Sequence, residues 1–148
     1  MRHFEIQVDI TAPKEKVWEV LVDFDNYVDW NPTITKVTGN FEAGGTITFK
    51  FRKAPRPTDA YVESIDEGRM FVFSRCLLLP SLIHMVHDFE LQVLEHGETR
   101  LIQRWHCRGL LVPLIWKKLT SGMKTFNKFN GALKSYVENK THESVRSV

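Results

Sequence analysis

The chain has 148 residues, of which 43% are hydrophobic, 26% charged and 11% aromatic. These proportions are those of an ordinary globular domain and exclude a disordered or fibrous protein. The formal charge of +2, with Lys and Arg scattered among Asp and Glu, excludes a dedicated nucleic-acid-binding arm. We therefore expect one domain over residues 1–140 and a flexible tail over residues 141–148.

Metal-binding and membrane-spanning patterns are absent from the sequence. Cys76 and Cys107 form no C-x-x-C pair, and His84 and His87 are three apart in a predicted strand, which points them to opposite faces. We expect no disulfide, metal or other cofactor. The longest apolar stretch, residues 110–116, is far shorter than the ~20 residues of a membrane span, and the N-terminus lacks a signal peptide's apolar block. The sequence predicts a cytoplasmic protein without stable membrane insertion.

The N-terminal third predicts one strand and two short helices. Apolar and polar residues alternate from Phe4 to Ile10, which is typical of a strand with one face in the core. Thr11 and Pro13 favour a helix start, so a helix is predicted over residues 14–22, and a second over residues 25–30 ends before Pro32. We expect Trp18 and Trp30 to pack these helices onto the sheet.

Residues 33–107 predict six more strands, because turn signals separate short alternating segments. The apolar loop over residues 77–82 is expected to close over the core, with contact to a membrane or a partner as the alternative. Strand parity predicts that one shared face carries Ile47, Phe49, Phe51, Phe71, Phe73, Phe89, Leu91, Val93, Leu101, Trp105 and Cys107.

After Gly109 the apolar residues recur every three or four positions from Ile115 to Val137, which predicts one long helix over residues 113–138. Its lysines, which include Lys118 and Lys134, are interpreted as a solvated face. A sheet with one apolar face must cover it, and this helix is the only element long enough. The expected fold class is α+β: a curved seven-stranded antiparallel sheet, two short helices after its first strand, and a long C-terminal helix over a cavity.

Several motifs carry a resemblance to a known family. They are Thr11-Ala12-Pro13-x-x-x-Val17-Trp18, Trp30-Asn31-Pro32, His87-x-Phe89-x-Leu91, Gly109-Leu110-Leu111-x-Pro113 and Phe129-Asn130-x-Ala132-Leu133-Lys134. With them the chain resembles the SRPBCC (START-like) superfamily, which includes lipid carriers and polyketide cyclase/dehydrase-like proteins, over residues 3–138. The resemblance implies a helix-grip fold with a ligand cavity and leaves the ligand open. Many similar members carry an acidic residue where this chain has Trp105, so a catalytic carboxylate there does not carry over.

Three polar positions are candidates for function. His87 and Gln103 share parity with the inward apolar residues, so His87 is the candidate acid or base or a ligand contact, and the alternative is a histidine satisfied by backbone or water. Arg75 either marks the cavity mouth and pairs with a ligand carboxylate or phosphate, or bridges on the surface to Asp88 or Glu90. The residues expected to contact a ligand are Phe49, Phe51, Phe73, Arg75, His87, Phe89, Gln103, Trp105, Met123 and Phe126.

Gly122 lies near the apolar stripe of the last helix, where glycine costs about 1 kcal/mol relative to alanine. It leaves room either for a bound molecule or for close helix-to-sheet packing, and the second interpretation is preferred.

Three functions follow as hypotheses. The leading one is a binding module for a small hydrophobic molecule, such as a lipid, a polyketide-like or an aromatic metabolite, in a monomer or homodimer. The second is a cyclase, dehydratase or hydrolase that uses His87, although no G-x-S-x-G elbow, phosphate loop or carboxylate pair occurs. The third is a chaperone-associated interaction domain that uses the apolar loop over residues 77–82.

Overall fold

Alternation of apolar and polar residues along the chain produces seven antiparallel strands, and the computed structural model describes them within residues 1–147. The strands are β1 Arg2–Ile10, β2 Ile34–Gly39, β3 Thr46–Phe51, β4 Thr58–Asp66, β5 Met70–Leu77, β6 Ile83–Val93 and β7 Thr99–Arg108. The helices are α1 Lys14–Val22, α2 Tyr27–Trp30, α3 Val112–Lys124 and α4 Phe126–Arg146. Short 3₁₀ turns lie at Phe24–Asn26 and Glu95–Gly97.

All seven strands belong to one sheet in the order β1-β7-β6-β5-β4-β3-β2. The first strand therefore pairs with the last one, and the remaining strands follow one another as hairpins. This architecture confirms the α+β helix-grip fold expected from the sequence. Most of the predicted inward residues are buried, but Val93 is not: it is 66% exposed, because burial along β6 ends at Leu91.

The inward face is filled by two separate apolar clusters. One contains Phe71 and Leu101 with Leu21 from α1 and Phe129 from α4. The other contains residues of β6, β7, α3 and the loops beside them. Phe126 packs against both clusters. Residues of both clusters border the same open space between the sheet and the helices.

The predicted single C-terminal helix is divided at Thr125. Both the amide and the hydroxyl of Thr125 donate to the Gly122 carbonyl, at 3.1 and 2.6 Å. An i to i−3 bond at this position tightens the turn and interrupts the ladder of i to i−4 bonds, and a threonine hydroxyl that bonds back to the preceding turn bends helices. The C-terminal segment is therefore two consecutive helices, α3 and α4, and the prediction of one continuous helix is wrong at Thr125.

The far end of α4 also differs from the expectation. The helix continues to Arg146, and Thr141 and Ser144 donate their hydroxyls to carbonyls four residues earlier. The expected tail over residues 141–148 thus begins as helix, and Val148 lies outside the described residues. Lys134 is less solvated than predicted: its side chain is 39% exposed, and its ammonium donates to the Asp9 carbonyl and to Glu138, both at 2.7 Å.

The two tryptophans near α1 and α2 have different roles. Trp18 contacts Phe71 on β5 edge-on, with ring centroids 5.8 Å apart, so it packs α1 onto the sheet as predicted. Trp30 contacts Phe129 and Tyr136 instead, at 5.2 and 6.1 Å. It therefore packs α2 onto α4, and it also packs against the apolar cluster that contains residues of the sheet.

The middle of the loop over residues 77–82 does not close over the core, although the leucines at its two ends pack against a buried cluster. Leu78 and Leu79 are 77% and 60% exposed. The Leu79 carbonyl accepts the amides of both Leu82 and Ile83, which makes a tight turn of the segment. A turn this short leaves no length of chain to fold back, so the two leucines stay at the surface.

Candidate functional site

A cavity of about 520 Å³ lies between the concave face of the sheet and helix α3 with the first turn of α4. Its wall is mostly apolar. Among the residues predicted to contact a ligand, those in the wall are Phe49, Phe51, Phe73, Arg75, His87, Phe89, Trp105, Met123 and Phe126. Gln103 is the exception, because it is fully buried behind the wall.

Strand register explains why aromatic side chains and His87 meet in this wall. His87 on β6 lies directly opposite Phe73 on β5 and Trp105 on β7, and Trp105 lies opposite Phe4 on β1. Residues opposite one another in antiparallel strands share a face, so period-two parity places this whole row inward. The His87 ring is enclosed, with ring centroids 4.3 Å from Phe89 and 5.2 Å from Phe126.

A chain of polar side chains runs from the cavity wall into the core. His87 Nε2 lies 2.9 Å from Gln103 Oε1, and Gln103 Nε2 donates to Asn130 Oδ1 at 2.6 Å. With the amides in this orientation, Gln103 Oε1 can only accept, so His87 carries its proton on Nε2. The chain connects β6, β7 and α4, and it explains why a glutamine and an asparagine are buried in an apolar core.

Burial keeps the imidazole of His87 neutral. It lowers the pKa of His87 to about 3, and the hydrogen bond to Gln103 offsets only part of that effect. A general acid or base works best with a pKa near the working pH. At neutral pH this histidine is therefore suited to hydrogen bonding and poorly suited to proton transfer.

The second ring nitrogen of His87 is available to a ligand. Nδ1 makes no hydrogen bond with the residues that the structure describes, and it is not among their fully buried polar atoms without a partner. His87 lines the cavity, so this nitrogen presents a lone pair there. Its natural partner is a hydroxyl or an N–H of a bound molecule.

Arg75 is the second polar group of the wall. It lies on β5, half-buried, and forms no ion pair within residues 1–147. Burial lowers its pKa. Asp88 and Glu90, the surface partners that the alternative interpretation required, pair with Arg104 instead, at 3.1 and 2.7 Å. The surface interpretation of Arg75 is therefore wrong, and the guanidinium lines the cavity.

Gly122 lines the cavity as well. A Cβ built on it would meet no atom within 4 Å. The glycine therefore does not serve close helix-to-sheet packing, and the interpretation preferred from the sequence is wrong. The missing side chain leaves open space at the wall.

Some site residues escaped the sequence reasoning. Asn130 belongs to the apolar stripe of α4 and is buried between Phe129 and Leu133. Its place in that stripe could have indicated a polar partner in the core, because a buried amide needs a hydrogen-bond partner. Its Nδ2 has no hydrogen-bond partner in the described part of the chain. Lys118 also lines the cavity, although its spacing in the sequence predicts a solvated position. No feature of the sequence indicates that Lys118 contributes to the cavity wall.

Within residues 1–147 no group of three or more His, Cys, Asp or Glu is placed to hold a metal ion. No helix in that range is long and apolar enough to cross a membrane.

The fold and the cavity define an α+β helix-grip protein, and comparison with known proteins identifies the family. The sequence pattern of the family described as "Polyketide cyclase / dehydrase and lipid transport" matches residues 1–138. The chain therefore belongs to this family, within the SRPBCC superfamily. No protein with a curated description matches the sequence significantly.

Solved structures share the fold. The Zhui aromatase/cyclase from Streptomyces sp. R1128 has 21% identity and a TM-score of 0.72, with 95% of each chain covered. The di-domain ARO/CYC BexL from the BE-7585A biosynthetic pathway has 16% identity and a TM-score of 0.72, and the match covers 93% of this chain and 47% of that one. The Aha1 dimer from Colwellia psychrerythraea has 18% identity and a TM-score of 0.67, with 90% and 97% covered.

Proposed function

We propose that this protein binds a small amphipathic molecule whose apolar body fills the cavity and whose anionic group pairs with Arg75. The observation that carries the proposal is the half-buried guanidinium in an apolar wall without a carboxylate partner among the described residues. A buried charge without a partner is costly, and a ligand carboxylate or phosphate would compensate it.

His87 adds a second criterion for the ligand. Its neutral ring offers Nδ1 as an acceptor, so a ligand with a hydroxyl or N–H at that point gains one hydrogen bond, worth about 1 kcal/mol. The cavity volume of about 520 Å³ falls within the range of sites for small organic molecules. The family's description, which includes lipid transport, agrees with an apolar cargo.

The test begins with the protein as purified. Native mass spectrometry followed by solvent extraction shows whether a molecule travels with it. An environment-sensitive hydrophobic dye then reports on the cavity, and competition is measured with an aryl-alkyl carboxylic acid and with its methyl ester. We expect the acid to displace the dye at lower concentration than the ester.

Arg75→Gln should abolish the difference between the acid and the ester while the dye still binds. Arg69→Gln is the matched control, because Arg69 is exposed and already paired with Asp66. If folded wild-type protein binds no dye and carries no extractable molecule, the proposal is wrong. If the acid and the ester compete equally, the role of Arg75 is wrong and the apolar cavity remains the binding site.

A cyclase activity is the second candidate, and the family's description favours it. In such an enzyme the cavity would fold a polyketide-like chain, and His87 would hold a substrate hydroxyl or N–H without transferring its proton, because of its lowered pKa. Incubation with a short poly-β-ketone thioester and analysis of the products tests it. Wild type should change the product distribution relative to buffer, and a His87→Gln variant should change it less.

A further inference from the structure

Four leucines protrude beside the cavity, from two adjacent loops and the first turn of helix α3. Leu78 and Leu79 follow β5, and Leu110 and Leu114 lie after β7 and in the first turn of α3. Their exposed fractions are 77%, 60%, 77% and 80%. We call these four residues the leucine patch. Single exposed apolar residues are common on protein surfaces, whereas clustered ones mark interaction sites.

Backbone hydrogen bonds hold the two loops together. The amides of Leu110 and Leu111 donate to the carbonyls of Ser81 and Leu82, both at 3.1 Å. Gly109 makes this approach possible: its φ is +129°, and a Cβ there would lie 2.2 Å from the Leu82 carbonyl oxygen. The leucine patch is therefore one surface and not two independent loops.

Packing beneath the loops supports the patch from inside. Leu82 and Leu111, which come from the same two loops, pack against the buried cluster that contains Trp105 and Cys107. The loops are anchored by these residues, and the exposed leucines are what remains outside. Leu78 has a φ of +68°, a conformation that disfavours non-glycine residues, so its neighbours hold it in this position.

The two chain segments that carry the patch contain positive charge and no negative charge. The sequence contains no Asp or Glu from residue 68 to 87 or from residue 99 to 137, and these stretches include both loops and α3. Arg108, Lys117 and Lys124 are exposed there, and none of them forms an ion pair with a described residue. These three side chains therefore keep their positive charge free of ion pairs within residues 1–147.

The patch adjoins the cavity wall. Leu77 and Ile115 line the cavity, and their immediate neighbours along the chain, Leu78 and Leu114, belong to the patch. A partner that covers the leucines would therefore contact the protein at the edge of its cavity.

We propose that the leucine patch is a docking site for the surface of an anionic lipid bilayer. The protruding leucines insert into the boundary between headgroups and acyl chains, and Arg108 and Lys117, which are close to them along the chain, pair with anionic headgroups. A protein partner fits less well, because leucine is under-represented among the residues that dominate protein–protein binding, and the patch presents no aromatic anchor. Docking of this kind is reversible and needs no membrane-spanning helix.

The test is co-sedimentation of the full chain with vesicles. One set is made of phosphatidylcholine, and the other is an equimolar mixture of phosphatidylcholine and phosphatidylserine. We expect binding to the anionic vesicles, at least about tenfold weaker binding to the neutral ones, and a loss of binding as salt is raised.

Two variants distinguish an effect of the leucine patch from an effect of exposed apolar side chains in general. The first changes Leu78, Leu79, Leu110 and Leu114 to serine. The control changes Val28, Val93 and Val145 to serine, which are exposed to 62%, 66% and 71% and lie outside the patch. The leucine variant should lose at least about tenfold in affinity for anionic vesicles, and the valine variant should bind like wild type. Circular dichroism and dye binding confirm that each variant is folded with its cavity intact.

A second pair of variants tests the charge. Arg108→Gln with Lys117→Gln should weaken vesicle binding and flatten its salt dependence, and Lys36→Gln with Lys50→Gln, exposed on β2 and β3, should not. Three results would overturn the proposal: no binding of wild type to anionic vesicles, equal loss in the leucine and valine variants, or a wild-type dimer in sedimentation velocity that the leucine variant converts to a monomer without any vesicle binding.

Discussion

The imidazole of His87 stacks on the indole of Trp105, with ring centroids 4.0 Å apart and 22° between the ring planes. The two residues lie directly opposite each other on β6 and β7. The stack and the hydrogen bond to Gln103 together hold the ring in one orientation, with Nε2 toward the core. The properties of the site depend on this arrangement.

The neutral state of His87 makes stability depend on pH. Its pKa is about 3 in the folded protein and near 6.5 for an exposed histidine, so below pH 6.5 the unfolded chain binds a proton that the folded protein does not. The stability conferred by the neutral ring is therefore fully present above about pH 6.5 and is lost as the pH falls toward 3. We expect the free energy of unfolding to fall between pH 6 and pH 5 by up to about 1.4 kcal/mol per pH unit.

Urea unfolding of wild type and of His87→Gln across this range measures the effect. The variant should show a shallower dependence, because it has no group to protonate at this position. NMR titration of the His87 ring provides the direct readout. A midpoint near that of an exposed histidine would contradict the assignment.

The polar chain predicts a large cost for changing its central member. Gln103→Leu leaves the Nε2–H of His87 and the Oδ1 of Asn130 without partners in the core. We expect a loss of about 2–4 kcal/mol in the free energy of unfolding, since each unsatisfied buried group costs about 1–3 kcal/mol. Gln92→Leu, at an exposed position on β6, should change stability by less than about 0.5 kcal/mol.

The double variant Gln103→Leu with Asn130→Leu sharpens this test. It removes one of the orphaned groups, so it should be less destabilised than the sum of the two single variants. Chemical denaturation of all four proteins completes the cycle. Strict additivity would show that the two amides do not interact.

The cavity predicts unequal costs for two phenylalanines. Phe126 is half-buried and lines the cavity, whereas Phe71 is 1% exposed and lies in the continuous core. Phe71→Ala should lose the roughly 3–5 kcal/mol typical of a well-packed core phenylalanine, and Phe126→Ala should lose less, because one side of its ring has no packing partner to lose. Equal losses in guanidinium unfolding would show that Phe126 is packed like a core residue.

The close contact at Gly109 predicts that adding one methyl group there lowers the free energy of unfolding strongly. Gly109→Ala places a Cβ against the Leu82 carbonyl and forces a residue other than glycine to a φ of +129°. We expect a loss of at least about 2 kcal/mol and separation of the loops that carry the leucine patch. Gly131→Ala is the control. Gly131 lies in helix α4, and a Cβ built on it would meet no atom within 4 Å, so this change should stabilise the protein by about 0.5–1 kcal/mol. Thermal unfolding of the two variants should shift in opposite directions.

The residues of the cavity wall were largely predictable from the sequence. Phe73, His87 and Trp105 share parity with other inward residues of their strands, and the period of two is a property of the local backbone. The same parity placed Arg75 and Gln103 on the inward face. It does not report depth along the face, and for that reason Gln103 was expected in the cavity although it lies in the core behind it.

Only the tertiary structure decided the features that join distant parts of the chain. The partner of Gln103 is Asn130, 27 residues away on another element. Leu78 is exposed because the turn that contains it is too short to fold back over the core. The break at Thr125 arises from a competition between a side-chain hydroxyl and the helix ladder for one carbonyl. Local periodicity is set by backbone geometry within a few residues, whereas these features depend on which groups meet once the sheet and the helices have packed.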